Sequence, residues 1–229
     1  MTTLLSVRGL HKSYGNKPIL VDACIDVRQG EFVAVLGPSG SGKTTLFRCI
    51  TRLNEPEAGQ ILVDGESFLD LKGSALRRAR KGIGIVFQQY NLVRRGSALR
   101  NVVGGRLADM PMWRVLSGVY SDTDLRCAGQ ALADVGLLPQ AYQRADTLSG
   151  GQQQRVAIAR ALAQKSRIML ADEPVASLDP ASARSILTLL RQITHAKGIA
   201  LLCTLHQPDL AAEFSDRIVR MENGHMVSD

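Results

Sequence analysis

Long apolar runs and paired cysteines are both missing from this sequence. No stretch reaches the ~18–20 consecutive apolar residues that a membrane-spanning helix requires, and the N-terminus lacks the basic-then-apolar layout of a signal peptide. The four cysteines stand singly, with no C-x-x-C pair. These absences argue against a membrane span and a disulfide framework, and they favour reduced thiols in the cytosol.

Aromatic residues are also scarce, at 4% of the 229 residues, while basic residues outnumber acidic ones and give a formal net charge of +7. The basic side chains cluster on both sides of the apolar segment near residue 85; they include Arg77, Arg78, Arg80, Lys81, Arg94, Arg95, Arg100 and Arg106. Such a cluster can bind a phosphate backbone, but here it comes without a motif that reads DNA or RNA. We therefore expect no nucleic-acid partner and place the basic face near an anionic membrane surface.

Length and composition indicate the fold class. A chain of 229 residues with 45% hydrophobic residues is large enough for one domain with a sizeable core. Strand-like and helix-like segments alternate in the last third, whereas residues 91–148 contain helical stretches such as Thr123–Val135 and no strong strand pattern. The sequence predicts an α/β fold, with a helix over Ala181–Ala196 and a closing strand over Ile218–Glu222.

A phosphate-binding loop of the G-x-x-x-x-G-K-[ST] type lies between an apolar strand, Phe32–Leu36, and a predicted helix, Thr45–Ile50. It consists of Gly37, Pro38, Ser39, Gly40, Ser41, Gly42, Lys43 and Thr44. Glycines let backbone N–H groups turn toward phosphate oxygens, and the helix N-terminus adds its positive dipole end. We expect Lys43 to reach the β- and γ-phosphates and the Thr44 hydroxyl to bind Mg²⁺. The alternative is a glycine-rich turn that merely joins strand to helix.

Two adjacent carboxylates, Asp172 and Glu173, follow the apolar segment 168–171. The carboxyl edge of a parallel sheet is where α/β folds bind ligands, and neighbouring strand residues point to opposite faces. The two side chains are therefore expected to have different roles, with Asp172 binding Mg²⁺ and Glu173 polarising the attacking water. An ordinary solvated turn is the alternative for such a pair.

A second anion-binding element lies upstream of the acidic pair, at Leu148–Gln152. Ser149 offers a hydroxyl, Gly150 and Gly151 leave their N–H groups uncovered, and Gln152 begins a run of strong helix formers. Together they predict a second helix N-terminus able to bind a phosphate.

The phosphate-binding loop, followed by L-S-G-G-Q and the acidic pair, resembles the ATP-binding subunit of ATP-binding cassette (ABC) transporters from about Leu5 to the last residues. The resemblance implies a P-loop (RecA-like) ATPase core with an N-terminal antiparallel β part and an inserted helical subdomain, and it implies ATP and Mg²⁺ as cofactors. We expect one domain over residues 1–229, with residues 1–90 and 165–229 forming the nucleotide-binding core. Residues 91–164 are expected to form the helical subdomain that carries the signature. No appended regulatory domain is expected after the last strand of the core.

The resemblance also implies roles for residues outside these motifs. Tyr14 matches the aromatic residue that stacks on adenine, with a packed strand-end tyrosine as the alternative, and Thr45 is counted with the nucleotide-binding residues. Gln88 matches the glutamine that links Mg²⁺ and the attacking water to the membrane partner, and the neighbouring Gln89 is its rival.

Two further residues follow from the same resemblance. Asp179 belongs to the loop that crosses the dimer interface, and His206 matches the switch histidine that contacts the γ-phosphate. A neutral imidazole can hydrogen-bond that phosphate and help hold Glu173 and water in line. The other three histidines show no ligand spacing and are expected to be surface or packing residues.

The resemblance implies partners as well. In this family the signature binds the nucleotide of a partner subunit, so two chains bind head to tail, and we expect a homodimer or a pair with a paralogue. The transport pathway must come from integral membrane permease subunits, and a periplasmic or surface solute-binding protein is expected to act indirectly through them. The chain is then predicted to lie peripherally on the cytoplasmic face of the inner membrane.

Within the family, the sequence is similar to the ATPases of bacterial phosphonate importers over nearly its whole length, and Val175 and Gln207 are the most telling residues. None of these residues touches the transported solute, so phosphite or another small oxyanion stays open. Two different functions also stay open for such a cassette. One is an exporter or lipoprotein-release ATPase, and the second is a soluble cassette protein that acts on ribosomes or in DNA repair.

Overall fold

The computed structural model describes residues 2–228, so Met1 and Asp229, the two ends of the predicted domain, lie outside the described residues. Within this range the strands form two sheets. They are β1 (Thr3–Tyr14), β2 (Lys17–Arg28), β3 (Phe32–Leu36), β4 (Ala58–Val63), β5 (Glu66–Ser67), β6 (Ile83–Val86), β7 (Ile168–Ala171), β8 (Ala200–Leu205), β9 (Arg217–Glu222) and β10 (His225–Ser228).

The central sheet has the strand order β10-β9-β3-β8-β7-β6. Its pairings are parallel apart from the antiparallel pair of β9 and β10. β3 is buried along its full length, as expected for an apolar strand covered on both faces. Because β3, β7 and β8 run in the same direction, the segments that follow them meet at one edge of the sheet. These segments carry the phosphate-binding loop, the acidic pair and His206.

The second sheet is antiparallel, in the order β2-β1-β4-β5. The helices pack around the two sheets. They are α1 (Lys43–Ile50), α2 (Gly73–Lys81), α3 (Ala98–Val103), α4 (Met112–Ser117), α5 (Asp122–Asp134), α6 (Gly150–Ala163), α7 (Pro180–Lys197) and α8 (Pro208–Phe214).

The core has two layers, one on each face of the central sheet. Along β3, Phe32, Ala34 and Leu36 face one layer and Val33 and Val35 face the other, as the two-residue period of a strand requires. The first layer is covered by the helices that follow β6, and the second by α1 and the antiparallel sheet. The central sheet is therefore buried on both faces, and its carboxyl edge is the place where polar residues collect.

The predicted α/β fold and its N-terminal antiparallel part are confirmed, and the two predicted helices agree with α5 and α7 within two residues. The prediction that Ile218–Glu222 closes the fold is wrong, because β10 follows β9. The turn between them is Asn223-Gly224, whose φ angles of 48° and 83° suit a two-residue hairpin. The division of the chain at residues 91 and 164 stays a prediction. Across residues 2–228, no helix combines the length and the apolarity that crossing a membrane requires.

Candidate functional site

The phosphate-binding loop leaves β3 and runs tightly along its neighbours before α1 begins. A Cβ at Gly37 would lie 2.4 Å from the Met221 carbonyl oxygen, and one at Gly42 would lie 2.8 Å from the Ile19 carbonyl oxygen. Gly40 and Gly42 also have φ angles of 81° and 111°, which L side chains rarely adopt. The glycines are therefore needed both for the close approach of the loop to its neighbours and for its turn.

Lys43 is buried at the end of this loop, and its ammonium donates hydrogen bonds to the carbonyl oxygens of Gly37 and Pro38 at 2.7 and 2.9 Å. Burial lowers the pKa of Lys43, while the carboxylates of Glu173 and Asp172 oppose that effect. The lysine charge is thus held within the loop and close to both acidic residues.

Two observations test whether this loop fits a phosphate group. The Ser41 hydroxyl is buried and has no hydrogen-bond partner within residues 2–228. The loop also lines one open cavity together with residues from β2 and with Glu173; the lining residues are Lys17, Ile19, Ser39, Gly40, Gly42, Lys43, Thr44, Thr45 and Glu173. A buried hydroxyl without a partner and a lysine at the N-terminus of α1 are groups that bind phosphate oxygens, so the residues present fit ATP.

Asp172 and Thr44 line a second cavity next to α1. Burial raises the pKa of the Asp172 carboxyl, and hydrogen bonds from Thr204 and Thr44 oppose the rise. Within the described residues, no group of three or more His, Cys, Asp or Glu side chains could hold a metal ion. One carboxylate beside one hydroxyl nevertheless fits Mg²⁺, which proteins usually bind with one or two carboxylates together with substrate phosphates.

Glu173 lies between the loop and His206. Its φ of 48° is unusual for a residue with a side chain, and His206 Nε2 lies 2.6 Å from Glu173 Oε1. Glu173 also lines the cavity that holds Lys43. The structure therefore brings together the lysine, the glutamate and the histidine that the sequence placed far apart, and a carboxylate so held can orient a water toward the loop.

Sequence reasoning missed Thr204, which lies two residues before His206 on β8. Its fully buried hydroxyl donates to Asp172 Oδ1 at 2.9 Å and accepts the N–H of Glu173 at 2.8 Å. It lies in the same short stretch as His206, but the resemblance assigns a role only to the histidine. The signal that locates it is the alignment of β7 with β8, which pairs Ala171 with Cys203 and so sets Thr204 beside Asp172.

Tyr14 lies at the end of β1 and is 48% exposed. Asn54 Nδ2 donates a hydrogen bond to its hydroxyl, and the Lys12 ammonium lies 5.8 Å from the ring centroid. The hairpin that begins at Tyr14 pairs it with Lys17, which lines the phosphate-loop cavity. The ring is therefore accessible for stacking near that cavity, and it is not packed away as a buried strand-end tyrosine would be.

The signature forms the N-terminus of α6. Ser149 and Gln152 make a reciprocal capping box, in which each side chain accepts a hydrogen bond from the other residue's backbone N–H. The position of a Cβ on Gly150 lies 3.3 Å from both Leu178 Cδ2 and Tyr90 Oη. None of residues 149–152 is among those that line the cavity around Lys43. The structure of the single chain thus does not bring its signature to its own phosphate-binding loop.

Gln88 and Gln89 both lie exposed in the turn after β6, so burial does not distinguish them. The next residues, Tyr90 and Asn91, have φ angles of 59° and 47°, and their carbonyl oxygens accept hydrogen bonds from Arg160 at 2.8 and 2.6 Å. Arg160 belongs to α6. The segment after the two glutamines is therefore fastened to the same helix that begins with the signature.

Asp179 caps the N-terminus of α7, where its side chain accepts hydrogen bonds from the N–H groups of Ala181 and Ser182 at 3.1 and 3.0 Å. The hydrogen bonds from Ser182 and Ala181 lower the pKa of Asp179. The cap orders the exposed loop before α7, and its place at a dimer interface stays a prediction.

Comparisons with known proteins show which family the chain resembles. The protein-family model described as "ABC transporter" matches residues 20–176 of the chain. The hypophosphite import ATP-binding protein of Stutzerimonas stutzeri is 52% identical over 98% of this chain, which spans just under two thirds of that protein, 66% of its length. A phosphonates import ATP-binding protein of Rhodopseudomonas palustris is 48% identical over 99% of this chain and 83% of its own.

Solved structures extend the likeness to the fold. A dimeric bacterial ABC transporter cassette, 33% identical, has a TM-score of 0.83 and covers 96% of this chain and 95% of that one. A dimeric post-hydrolysis state of a cassette bound to ADP and Pi, 32% identical, has a TM-score of 0.81 and covers 98% of both chains.

Proposed function

The chain belongs to the ABC transporter family, and we propose that it is the ATP-hydrolysing subunit of an importer for phosphonates. Phosphite or another small oxyanion is the alternative solute. The observation that carries the ATPase assignment is the single cavity shared by Lys43, Thr44 and Glu173. The observation that favours phosphonates is the activity for which the relatives are named, since they are phosphonate and hypophosphite import ATP-binding proteins.

Each residue then has a defined role in hydrolysis. The loop N–H groups and Lys43 hold the phosphates, and Tyr14 stacks on adenine. Thr44 and Asp172 hold Mg²⁺, which supplies positive charge against the phosphate oxygens. Glu173 orients a water molecule and takes a proton from it as the water oxygen bonds to the γ-phosphorus and the bond from that phosphorus to the ADP oxygen breaks. His206 holds the Glu173 carboxylate in place through their 2.6 Å contact.

A second copy of the chain completes the site. Ser149, Gly150 and Gly151 begin a capped helix whose N–H groups suit a phosphate, but they lie apart from the cavity around Lys43. A head-to-tail pair places each signature on the other chain's nucleotide, which makes ATP part of the interface. The solved cassette with a TM-score of 0.83 is dimeric, which supports the pairing of two copies.

The membrane partner docks next to the two glutamines. A groove between the nucleotide core and α6 is lined by residues from both sides; they are Thr51, Leu53, Arg80, Ile83, Ile85, Phe87, Asn91, Arg160 and Gln164. Leu53 is 62% exposed in this groove. A groove that combines apolar and basic side chains and is fixed to the signature helix by Arg160 suits a cytoplasmic helix of a permease. The chain then lies peripherally on the cytoplasmic face of the inner membrane. A solute-binding protein acts on it through the permease.

Replacing Gln88 by Ala is expected to uncouple ATP hydrolysis from transport. The amide has both a donor and an acceptor, so it can contact the metal or water on one side and the groove on the other. Basal hydrolysis by the purified chain should fall modestly, and stimulation of the reconstituted transporter by its loaded binding protein should be lost. ATPase assays in proteoliposomes measure both values.

The matched control is Gln89→Ala, which removes the neighbouring exposed amide. It should keep the stimulation. If only Gln89→Ala loses the stimulation, Gln89 is the residue that couples hydrolysis to transport. If both variants keep full stimulation, neither glutamine of this turn has that role.

The solute is tested in proteoliposomes that contain the chain together with its permease and solute-binding protein. Methylphosphonate should stimulate hydrolysis at lower concentrations than phosphite or hypophosphite, and sulfate should have no effect. A response to hypophosphite or phosphite alone would show that the solute is not a phosphonate but would leave the assignment as an importer intact. Hydrolysis that does not respond to any solute-loaded binding protein would reject the importer.

A further inference from the structure

β8 and the residue that follows it hold Glu173 at two points. Thr204 accepts the Glu173 backbone N–H at 2.8 Å, and His206, two residues further on, lies 2.6 Å from the Glu173 carboxylate. Glu173 has a φ of 48°, a conformation that a residue with a side chain adopts only when its surroundings hold it there. The bond from its N–H to Thr204 is one of the contacts that hold it.

The same hydroxyl also reaches the other acidic residue. Thr204 Oγ1 has a single proton, which it donates to Asp172 Oδ1 at 2.9 Å, and its lone pairs accept the Glu173 N–H. Because side chains alternate along a strand, Thr204 faces the layer that contains α1 and Thr44, whereas Cys203 faces the opposite layer. Thr204 is fully buried, so water does not replace it.

We propose that Thr204 is a positioning residue for hydrolysis, whose one hydroxyl sets the Asp172 carboxylate for Mg²⁺ and the Glu173 backbone for the attacking water. It touches neither nucleotide nor metal. The proposal rests on the roles proposed above for Asp172 and Glu173. It explains how two adjacent acidic residues with different roles are held together, since the Asp172 carboxylate and the Glu173 backbone N–H both bond to one oxygen atom on the neighbouring strand.

The test compares Thr204→Val, which keeps the shape and removes the hydroxyl, with Thr204→Ser, which keeps the hydroxyl. T204V should lower kcat by about 10- to 100-fold, because hydrogen bonds to charged groups are lost. It should also weaken Mn²⁺ binding to the ADP-bound chain by about 10-fold, as loss of a residue that orients a metal ligand does. ATP affinity in EDTA should stay within about twofold, because the loop is untouched. T204S should restore the first two values.

Thr194→Val is the matched control. Thr194 is also a buried threonine, but it lies in α7 and lines none of the cavities to which Asp172 or Glu173 contributes. T194V should leave kcat and Mn²⁺ affinity unchanged. EPR titration measures Mn²⁺ binding independently of turnover.

Three results would overturn the proposal. They are wild-type kcat and Mn²⁺ affinity in T204V, equal defects in T204S and T204V, and a loss of melting temperature in T204V with no other change. If T204V does not fold, Thr204→Ala is compared with T204S by the same measurements, and equal values overturn the proposal. A wild-type rate in Glu173→Gln would instead reject the roles of the acidic pair, so the two failures are distinguishable.

Discussion

Glu173→Gln is expected to bind ATP and hydrolyse it at least ~100-fold more slowly than the wild type, which is the scale of losing a general base. The amide is nearly isosteric with the carboxylate, so the loop and Lys43 still hold the nucleotide. Because ATP persists between two chains, the variant should accumulate as an ATP-bound dimer. Steady-state ATPase assays and size-exclusion chromatography with ATP measure the two effects.

Glu66→Gln is the control, since Glu66 lies exposed in β5 of the antiparallel sheet. It makes the same chemical change away from the site and should behave as the wild type. A Glu173→Gln variant that turns over at the wild-type rate and elutes only as a monomer would contradict the assignment of Glu173.

Ser149→Arg is expected to bind one ATP per chain with nearly normal affinity and to lose turnover. Its own phosphate-binding loop is unchanged, but a bulky cation replaces the small residue that caps α6, and in the proposed dimer this residue meets the partner's nucleotide. Lys43→Ala should lose turnover for the opposite reason, because its own nucleotide is not held. Isothermal titration with ATP separates the two defects.

Mixing the two inactive variants gives the sharper result. In a head-to-tail heterodimer one site combines both defects and the other combines neither. With random pairing about half of the dimers are heterodimers with one intact site, so an equal mixture should regain up to about a quarter of wild-type turnover. Ser74→Arg, at an exposed position of α2, controls for an added surface arginine and should be fully active.

A mixture as inactive as either parent has two explanations, which the ATP-dependent dimerisation of the pair separates. If the heterodimer forms but does not hydrolyse ATP, then each site hydrolyses ATP only when the other site is also intact. A heterodimer that does not form contradicts the proposal that the signature of one chain completes the site of the other.

The contacts around Gln88 could not be predicted from the sequence. The turn could be located because an apolar strand precedes it, but both glutamines lie exposed and the choice between them stays a prediction. Arg160 lies about 70 residues further along the chain, and its two hydrogen bonds to Tyr90 and Asn91 depend on how α6 packs against that turn. No local sequence pattern predicts such a long-range contact. The hairpin turn at Asn223-Gly224 is different, since its two residues are a recognised hairpin signal and could have been found.

The sequence by itself determined the phosphate-binding loop, the signature and the acidic pair, because each depends on neighbouring residues whose backbone preferences are local. Gly40 and Gly42 adopt positive φ angles because glycine has no Cβ to clash with the backbone. Ser149 and Gln152 cap a helix because they stand three residues apart. Only the tertiary structure decided that Thr204 joins Asp172 to Glu173, because that contact depends on the register of two strands about 30 residues apart in the chain. Register is set by the packing of both faces of the sheet, and so it belongs to the whole fold.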